Sequence, residues 1–175
     1  MSNRSRLHKT VFSALFCALV FAATWIAIPV GIGNVNLGDG ILLLGAWVLG
    51  GPWAAVATAL GATLADLTAG YTIYAPGTFV IKLLMATVAI LICKFASRLR
   101  LSPRAARIIA SVCAELVMIL GYFAYEALFL GADVNGVAGA ALNIPFNAVQ
   151  GVFAIIVSNL LYELLAKSKI VSAQQ

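Results

Sequence analysis

The placement of positive charge limits this chain more than any other feature of its sequence. Eleven Lys and Arg residues occur in a chain that is 63% hydrophobic. Ten of the eleven fall in three short stretches: the N-terminus up to Lys9, the segment from Lys94 to Arg107, and the C-terminal end with Lys167 and Lys169. Long apolar segments separated by clusters of basic residues are typical of membrane proteins, in which Lys and Arg collect in the cytoplasmic loops. The charge pattern therefore predicts a chain that crosses a membrane several times.

Six apolar runs bounded by Gly, Pro or charged residues are candidate spans. They are Val11–Pro29, Leu37–Leu49, Trp53–Ala69, Thr78–Phe95, Ala105–Leu130 and Leu142–Leu165. An even number of crossings puts both termini on one side, and the basic residues place that side in the cytoplasm. The three opposite loops, near residues 30–40, 70–77 and 131–141, contain no Lys or Arg. We predict an all-α integral membrane protein with six transmembrane helices, N-in and C-in, forming a single membrane domain over residues 1–175.

The second candidate span is unusually short. At the α-helical rise, Leu37–Leu49 reaches only about 20 Å, against a hydrocarbon core of about 30 Å. The segment before it, residues 31–40, contains four glycines. We therefore predict a first outer loop that is partly re-entrant, with irregular backbone covered by protein. In the alternative interpretation, Asn36 or Asp39 caps the second helix, which is compatible with ligand binding at the same helix end.

Several classes of chemistry lack their motifs in this sequence. There is no phosphate-binding loop and no His-Glu-x-x-His, and the single histidine is His8. Cys17, Cys93 and Cys113 lie within candidate spans at irregular spacing, which predicts neither a disulfide framework nor a metal site. The net charge of +5 comes from the basic loops, so it indicates topology and contact with the lipid bilayer rather than with nucleic acid. We expect a protein that is not an enzyme and holds no cofactor.

Lys82 is the one basic residue outside the three clusters. An ionisable residue inside a span is costly and is a functional candidate by default. Three interpretations are open: Lys82 extends to the outer surface, it pairs with Asp39, Asp66 or Glu126, or it faces a solute. Glu115, nearer the cytoplasmic end of its span, is expected to be structural.

The sixth span carries a polar stripe, in which Asn143, Asn147 and Gln150 recur at helical spacing. These amides can line a binding site or form hydrogen bonds between helices.

The first span carries a stripe of small residues, Ala14, Ala18 and Ala22, which would let another helix approach closely. In the alternative interpretation this face packs inside the monomer. A similar run on the third span, Ala57, Gly61 and Ala65, shows how common such faces are in apolar helices.

Taken together, these features resemble the substrate-binding S component of an energy-coupling factor (ECF) vitamin transporter. The resemblance covers essentially the whole chain and includes the six spans, the alanine stripe on the first span and the Asn-Leu-Gly-Asp segment from Asn36 to Asp39. The segment from Tyr74 to Lys82 is similar to the stretch entering the fourth helix in the branch that takes riboflavin, hydroxymethylpyrimidine or pyridoxine-type substrates.

This resemblance implies a high-affinity vitamin-binding subunit in a bacterial plasma membrane. It implies partners as well, namely a transmembrane coupling protein and two cytoplasmic ATPase subunits, with Ala14, Ala18 and Ala22 as the docking face. Pyridoxine or hydroxymethylpyrimidine is the first expected ligand, then riboflavin, with pantothenate or cobalamin behind. The residues expected to bind it are Asn36, Asp39, Tyr74, Lys82, Tyr122, Glu126, Asn143 and Asn147.

Two other classes of protein remain open at the level of the sequence. A self-sufficient secondary carrier would use Asp66 or Glu126 as a proton relay, although such carriers usually show internal repeats and none is evident between the two halves of this chain. A structural membrane protein would need none of the polar residues near the outer ends of the spans.

Overall fold

The computed structural model describes residues 3–30, 33–131 and 136–168. Within these ranges there are six α-helices and one antiparallel hairpin of two short strands, β1 Ile28–Val30 and β2 Gly33–Val35, which lies between α1 and α2. The helices are α1 Asn3–Trp25, α2 Gly38–Leu49, α3 Pro52–Thr68, α4 Ala75–Arg98, α5 Pro103–Phe129 and α6 Gly136–Lys167. Gly31 and Ile32 of the predicted re-entrant segment, and Lys169 of the basic C-terminal stretch, lie outside the described residues.

Each of the six apolar runs identified in the sequence overlaps one of these helices. Three of them, α4, α5 and α6, are long and apolar enough to cross a membrane, judged by length and composition. Shorter apolar helices cover Lys9–Trp25 and Gly38–Leu49. The chain is therefore all-helical apart from the hairpin, as predicted, and it has the apolar helices of a membrane protein.

The first outer loop differs from its prediction. The first candidate span extends to Pro29, but α1 ends at Trp25. Irregular backbone is predicted for residues 31–40, but Gly33–Val35 forms a strand that pairs with Ile28–Val30. Pro29 has no N–H to donate within a helix, and β-branched residues such as Ile28 and Val35 favour a strand. The hairpin thus supplies backbone hydrogen bonds to a segment that the helix cannot include.

The short helix α2 lies among the other helices of the bundle. It contacts α1, α3, α4 and α6, and eight of its twelve residues are buried. Leu42 and Leu43 are fully buried and form one core cluster with Met85 of α4 and Met118 of α5. Because α2 is enclosed by protein over most of its length, it does not need the length of a helix that faces lipid.

The two ends of the bundle, where consecutive helices are connected, differ in their chemistry. One end holds the C-termini of α3 and α5, the N-termini of α4 and α6, and the hairpin. The other end holds the turn from α4 to α5, where Ser102 caps α5 by accepting a hydrogen bond from Ala105 N at 3.2 Å. This second end carries the basic residues Lys94, Arg98, Arg100, Arg104, Arg107 and Lys167.

Candidate functional site: a polar and aromatic cavity

A cavity of about 620 Å³ opens at the end of the bundle away from the basic residues. Binding pockets for small molecules typically enclose about 300–1,000 Å³, so the cavity is large enough for one. Its wall comes from α1, the segment before α2, and all of the helices α3 to α6. The lining residues are Thr24, Trp25, Ala27, Asn36, Ala65, Asp66, Thr68, Ala69, Tyr71, Tyr74, Thr78, Lys82, Tyr122, Glu126, Asn143, Phe146, Asn147 and Gln150.

An ion pair lies at the inner wall of this cavity. Lys82 Nζ is 2.5 Å from Asp39 Oδ1, and the two residues are 4% and 1% exposed. Gln150 Nε2 donates a hydrogen bond to the other carboxylate oxygen of Asp39 at 2.6 Å. Lys82 therefore does not extend to the outer surface, and of the three acids considered it pairs with Asp39. Lys82 also lines the cavity, so the ion pair forms part of its inner wall.

The amide stripe on α6 combines the two roles that the sequence left open. Gln150 Oε1 accepts a hydrogen bond from Asn36 N at 3.1 Å, and Asn143 Nδ2 donates one to Glu126 Oε2 at 2.9 Å. These bonds join α6 to α5 and to the segment before α2. All three amides of the stripe, including Asn147 between the other two, also line the cavity.

Asn36 has a local role at the start of α2. Its Oδ1 accepts a hydrogen bond from the backbone N–H of Gly38 at 2.9 Å, so Asn36 rather than Asp39 satisfies a donor at this helix end. A Cβ at Gly38 would lie 2.0 Å from Thr24 Oγ1. Glycine therefore lets the start of α2 approach α1 closely, which holds Asn36 at the cavity wall.

Tyrosine rings form the other face of the cavity. Tyr122 OH and Thr78 Oγ1 are 3.0 Å apart, and Lys82 Nζ lies 5.2 Å from the centroid of the Tyr122 ring. Tyr74 precedes α4, and its ring centroid is 6.4 Å from that of Tyr125, whose OH donates to Ile73 O at 2.8 Å. Burial, and after it the carboxylate of Glu126, raises the pKa of the Tyr74 phenol. Tyr74 thus keeps its proton and can donate a hydrogen bond to a solute.

The structure brings together seven of the eight residues expected to bind a ligand. Asn36, Tyr74, Lys82, Tyr122, Glu126, Asn143 and Asn147 line the cavity. Asp39 does not line it; it lies behind Lys82 as the partner of the ammonium group. Asn36 and Asp39 are close in sequence, but the helix start directs one to the cavity and the other to the core.

Several lining residues were not among the eight. Gln150 belongs to the polar stripe on the sixth span, and Asp66 is an ionisable residue within a span, so both carried a signal in the sequence. Trp25 and Phe146 gave no signal in the sequence, because aromatic residues are expected in any apolar helix that packs against another helix or faces lipid. Their place in the wall depends on how the helices rotate against one another.

The fold and the cavity define a class of protein: a bundle of apolar helices of the kind found in membrane proteins, with a polar and aromatic cavity at one end. Residues 4–167 match the family model of the ECF-type riboflavin transporter, S component, and the chain belongs to this family. The fold is similar to a solved structure of the S component of a bacterial ECF transporter, with a TM-score of 0.75 at 22% sequence identity. That likeness covers 93% of this chain and 97% of the other. No curated protein matches the chain in sequence.

Family membership confirms the resemblance drawn from the sequence. It makes the chain a vitamin-binding component of a membrane transporter, and the family is not a class of enzymes.

Proposed function

We propose that this protein captures a vitamin from outside the cell in the cavity of about 620 Å³ and passes it inward as part of an ECF transporter. The observation that carries the proposal is the wall of that cavity, where aromatic rings face amide and charged groups at the end of the bundle away from the basic residues. In this proposal all six helices cross the membrane with both termini in the cytoplasm, because the basic end then lies inside. The cavity then opens outside.

The chemistry of the wall favours a flat heterocycle with polar edges. Tyr74, Tyr122 and Phe146 offer ring faces for stacking, while Asn147 and Lys82 offer donors for ring oxygen or nitrogen atoms. Riboflavin, pyridoxine and hydroxymethylpyrimidine all have this character. The resemblance drawn from the sequence favours pyridoxine and hydroxymethylpyrimidine, whereas the matching family model is that of a riboflavin transporter component. We propose riboflavin as the ligand, with the smaller rings as its competitors.

The proposed transporter needs partners to supply energy, since the sequence has no phosphate-binding loop. We propose that these are a transmembrane coupling protein and two cytoplasmic ATPases. Ala14, Ala18 and Ala22 are exposed on α1, so the face they form does not pack inside the described part of the monomer. A comparable small residue on α3, Gly61, is buried against α1 instead. The exposed face is the surface proposed for the coupling protein.

Ligand binding can be measured directly with the purified protein. Riboflavin fluorescence should be quenched in a 1:1 titration, and calorimetry with pyridoxine and hydroxymethylpyrimidine should give dissociation constants at least about 100-fold weaker, a difference of about 2.7 kcal/mol. Tyr122→Leu removes a ring from the wall and should weaken riboflavin binding, whereas Leu128→Ala on the exposed surface of α5 serves as its control. If pyridoxine or hydroxymethylpyrimidine bound more tightly than riboflavin, that compound would be the ligand instead.

Transport without ATP is the outcome that would contradict the proposed partnership. Vesicles containing only this protein, with a proton gradient and no ATPase, should take up no labelled riboflavin. Uptake that stops in Asp66→Asn or Glu126→Gln variants would show a self-sufficient carrier with a proton relay instead.

A further inference from the structure

A second cavity, of about 360 Å³, lies at the basic end of the bundle, opposite the proposed vitamin site. It is enclosed by the C-terminal parts of α2 and α4, the N-terminal part of α5 and the C-terminal part of α6. The lining residues are Ala46, Trp47, Gly50, Ile90, Cys93, Lys94, Ser97, Leu101, Pro103, Ala106, Arg107 and Tyr162. None of them lines the first cavity, so the two are separate sites.

Arg107 is the central charged group of this second cavity. It is 7% exposed, its guanidinium carbon lies 4.0 Å from the centroid of the Tyr162 ring, and one terminal nitrogen donates to Glu163 Oε1. Its Nε is buried and has no hydrogen-bond partner among the described residues. A buried donor on a charged group is expensive to leave without an acceptor, so this N–H is open to an acceptor atom of a ligand.

A second donor without a partner belongs to the same wall. Trp47 Nε1 is also buried and makes no hydrogen bond within the described residues, while the Trp47 ring meets Tyr162 edge to face at 6.0 Å. Lys94 also lines the cavity and adds a positive charge, while Glu163 already pairs with both Arg107 and Arg104. Two buried N–H donors and an excess of positive charge suit an anion with several acceptor oxygens, such as a phosphate group.

An apolar groove of about 550 Å³ adjoins this cavity. The two share Lys94 and Leu101 in their walls. The groove is lined by Leu91, Ile92, Lys94, Phe95, Ala96, Arg98, Leu99, Leu101 and Ile109, which are apolar except for the two basic residues at its end. A free phosphate would occupy only the second cavity, whereas a lipid would occupy both the second cavity and the groove.

We propose that the second cavity and the groove together bind one anionic phospholipid. The phosphate accepts hydrogen bonds from Arg107 Nε and Trp47 Nε1 beside the charge of Lys94, and an acyl chain lies along the groove. Basic pockets between transmembrane helices are suited to such headgroups, and the basic end of the bundle is where they would be met. The lipid would contact α2, α4, α5 and α6 at the basic end of the bundle, opposite the proposed vitamin site.

Native mass spectrometry of the detergent-purified protein can test this proposal. The probes are dioleoylphosphatidylglycerol, dioleoylglycerol without the phosphate, and inorganic phosphate. The wild type should hold one phosphatidylglycerol, and Arg107→Gln should weaken that binding by about tenfold or more, as expected for losing a charged hydrogen bond. Trp47→Phe keeps the ring and removes only the N–H, so it should weaken binding by about fivefold.

Arg104→Gln is the matched control, because Arg104 also meets Glu163, at 3.4 Å, but does not line the cavity. It should change lipid binding by less than about twofold, as expected for an exposed pair. If Arg107→Gln does not fold, the lipid affinity of Trp47→Phe alone tests the proposal. Equal binding of dioleoylglycerol, equal binding of inorganic phosphate, or unchanged affinity in Trp47→Phe would each overturn the proposal.

Discussion

Lys82 and Asp39 illustrate how a single pair serves both the core and the cavity. Removing two charges from water is costly, and their mutual attraction offsets this only when further hydrogen bonds satisfy the remaining atoms. Here Gln150 satisfies the second oxygen of Asp39 at 2.6 Å, and the Tyr122 ring lies beside the ammonium group. Asp39 therefore keeps Lys82 charged at the inner wall without needing to touch a ligand itself.

Separate substitutions can distinguish the structural role of Lys82 from its proposed role in binding. Lys82→Met should lower stability by about 3–5 kcal/mol, because it leaves the buried carboxylate of Asp39 without its counter-ion. In the double variant Lys82→Met with Asp39→Asn, most of that loss should be regained, while riboflavin affinity stays at least about tenfold weaker. Thermal melts without ligand and titrations with riboflavin measure the two effects. Full affinity in the double variant would leave Lys82 with a structural role only.

Glu115 is a buried acid without such support. It is 3% exposed, and neither carboxyl oxygen has a hydrogen-bond partner among the described residues. Glu115→Met, which keeps the length of the side chain and removes the polar atoms, should raise stability by about 1–3 kcal/mol. Glu126→Met is the contrasting variant: Glu126 accepts from Asn143 at 2.9 Å, so its loss should lower stability. Thermal unfolding in detergent measures both, and a destabilised Glu115→Met would show that the carboxyl group has a partner of its own.

At the scale of whole elements, small residues decide which helices approach each other. Gly61 of α3 packs so closely on α1 that an added Cβ would lie 2.3 Å from the backbone carbonyl oxygen of Cys17. A backbone atom cannot rotate away as a side chain can. Gly121 of α5 offers a comparison, since the atoms nearest to its added Cβ belong to the side chain of Ile81, the closest at 2.9 Å.

Gly61→Ala should therefore separate α1 from α3 and destabilise the protein by about 1–3 kcal/mol, the usual range for overpacking. Gly121→Ala should lose less, because its closest contact is longer, 2.9 Å against 2.3 Å, and involves a side chain rather than the backbone, and because alanine favours a helix. Melting temperatures of the two variants, compared with the wild type, test this order. Equal losses would mean that the contact between Gly61 of α3 and the backbone of Cys17 in α1 relaxes as easily as the contact between Gly121 and Ile81.

The elements also show what could be predicted from the sequence. Hydropathy and turn residues located all six helices, because each is an apolar run with Gly, Pro or charge at its ends. The hairpin was missed because strands of three residues leave no clear period, with β1 inside an apolar run and β2 inside a glycine-rich segment. At the site, helical spacing found Asn143, Asn147 and Gln150. The sequence also offered Asp39 as one of three possible partners of Lys82, but it could not choose among them, since the paired residues lie 43 positions apart on different helices.

At the scale of the whole molecule, the bundle has two chemically different ends and an apolar surface between them. Large apolar side chains such as Leu84, Leu91, Leu116, Leu120 and Ile156 are exposed along the middle of the long helices. An apolar exterior of this extent is what a bilayer covers. The exposed alanines of α1 differ from these large side chains, because they offer little area to lipid and let another helix approach closely.

The alanine face can be tested by enlarging it. Replacing Ala14 and Ala18 with Trp should prevent close approach of a partner helix, so co-purification with the coupling protein and its ATPases should be lost. Riboflavin binding should stay within about twofold of wild type, because neither Ala14 nor Ala18 lines the cavity. The matched control is Leu116→Trp with Leu120→Trp on α5, at positions 51% and 64% exposed. If the control variant lost assembly equally, or if the alanine variant still assembled, the coupling protein would have to dock on another surface of the bundle.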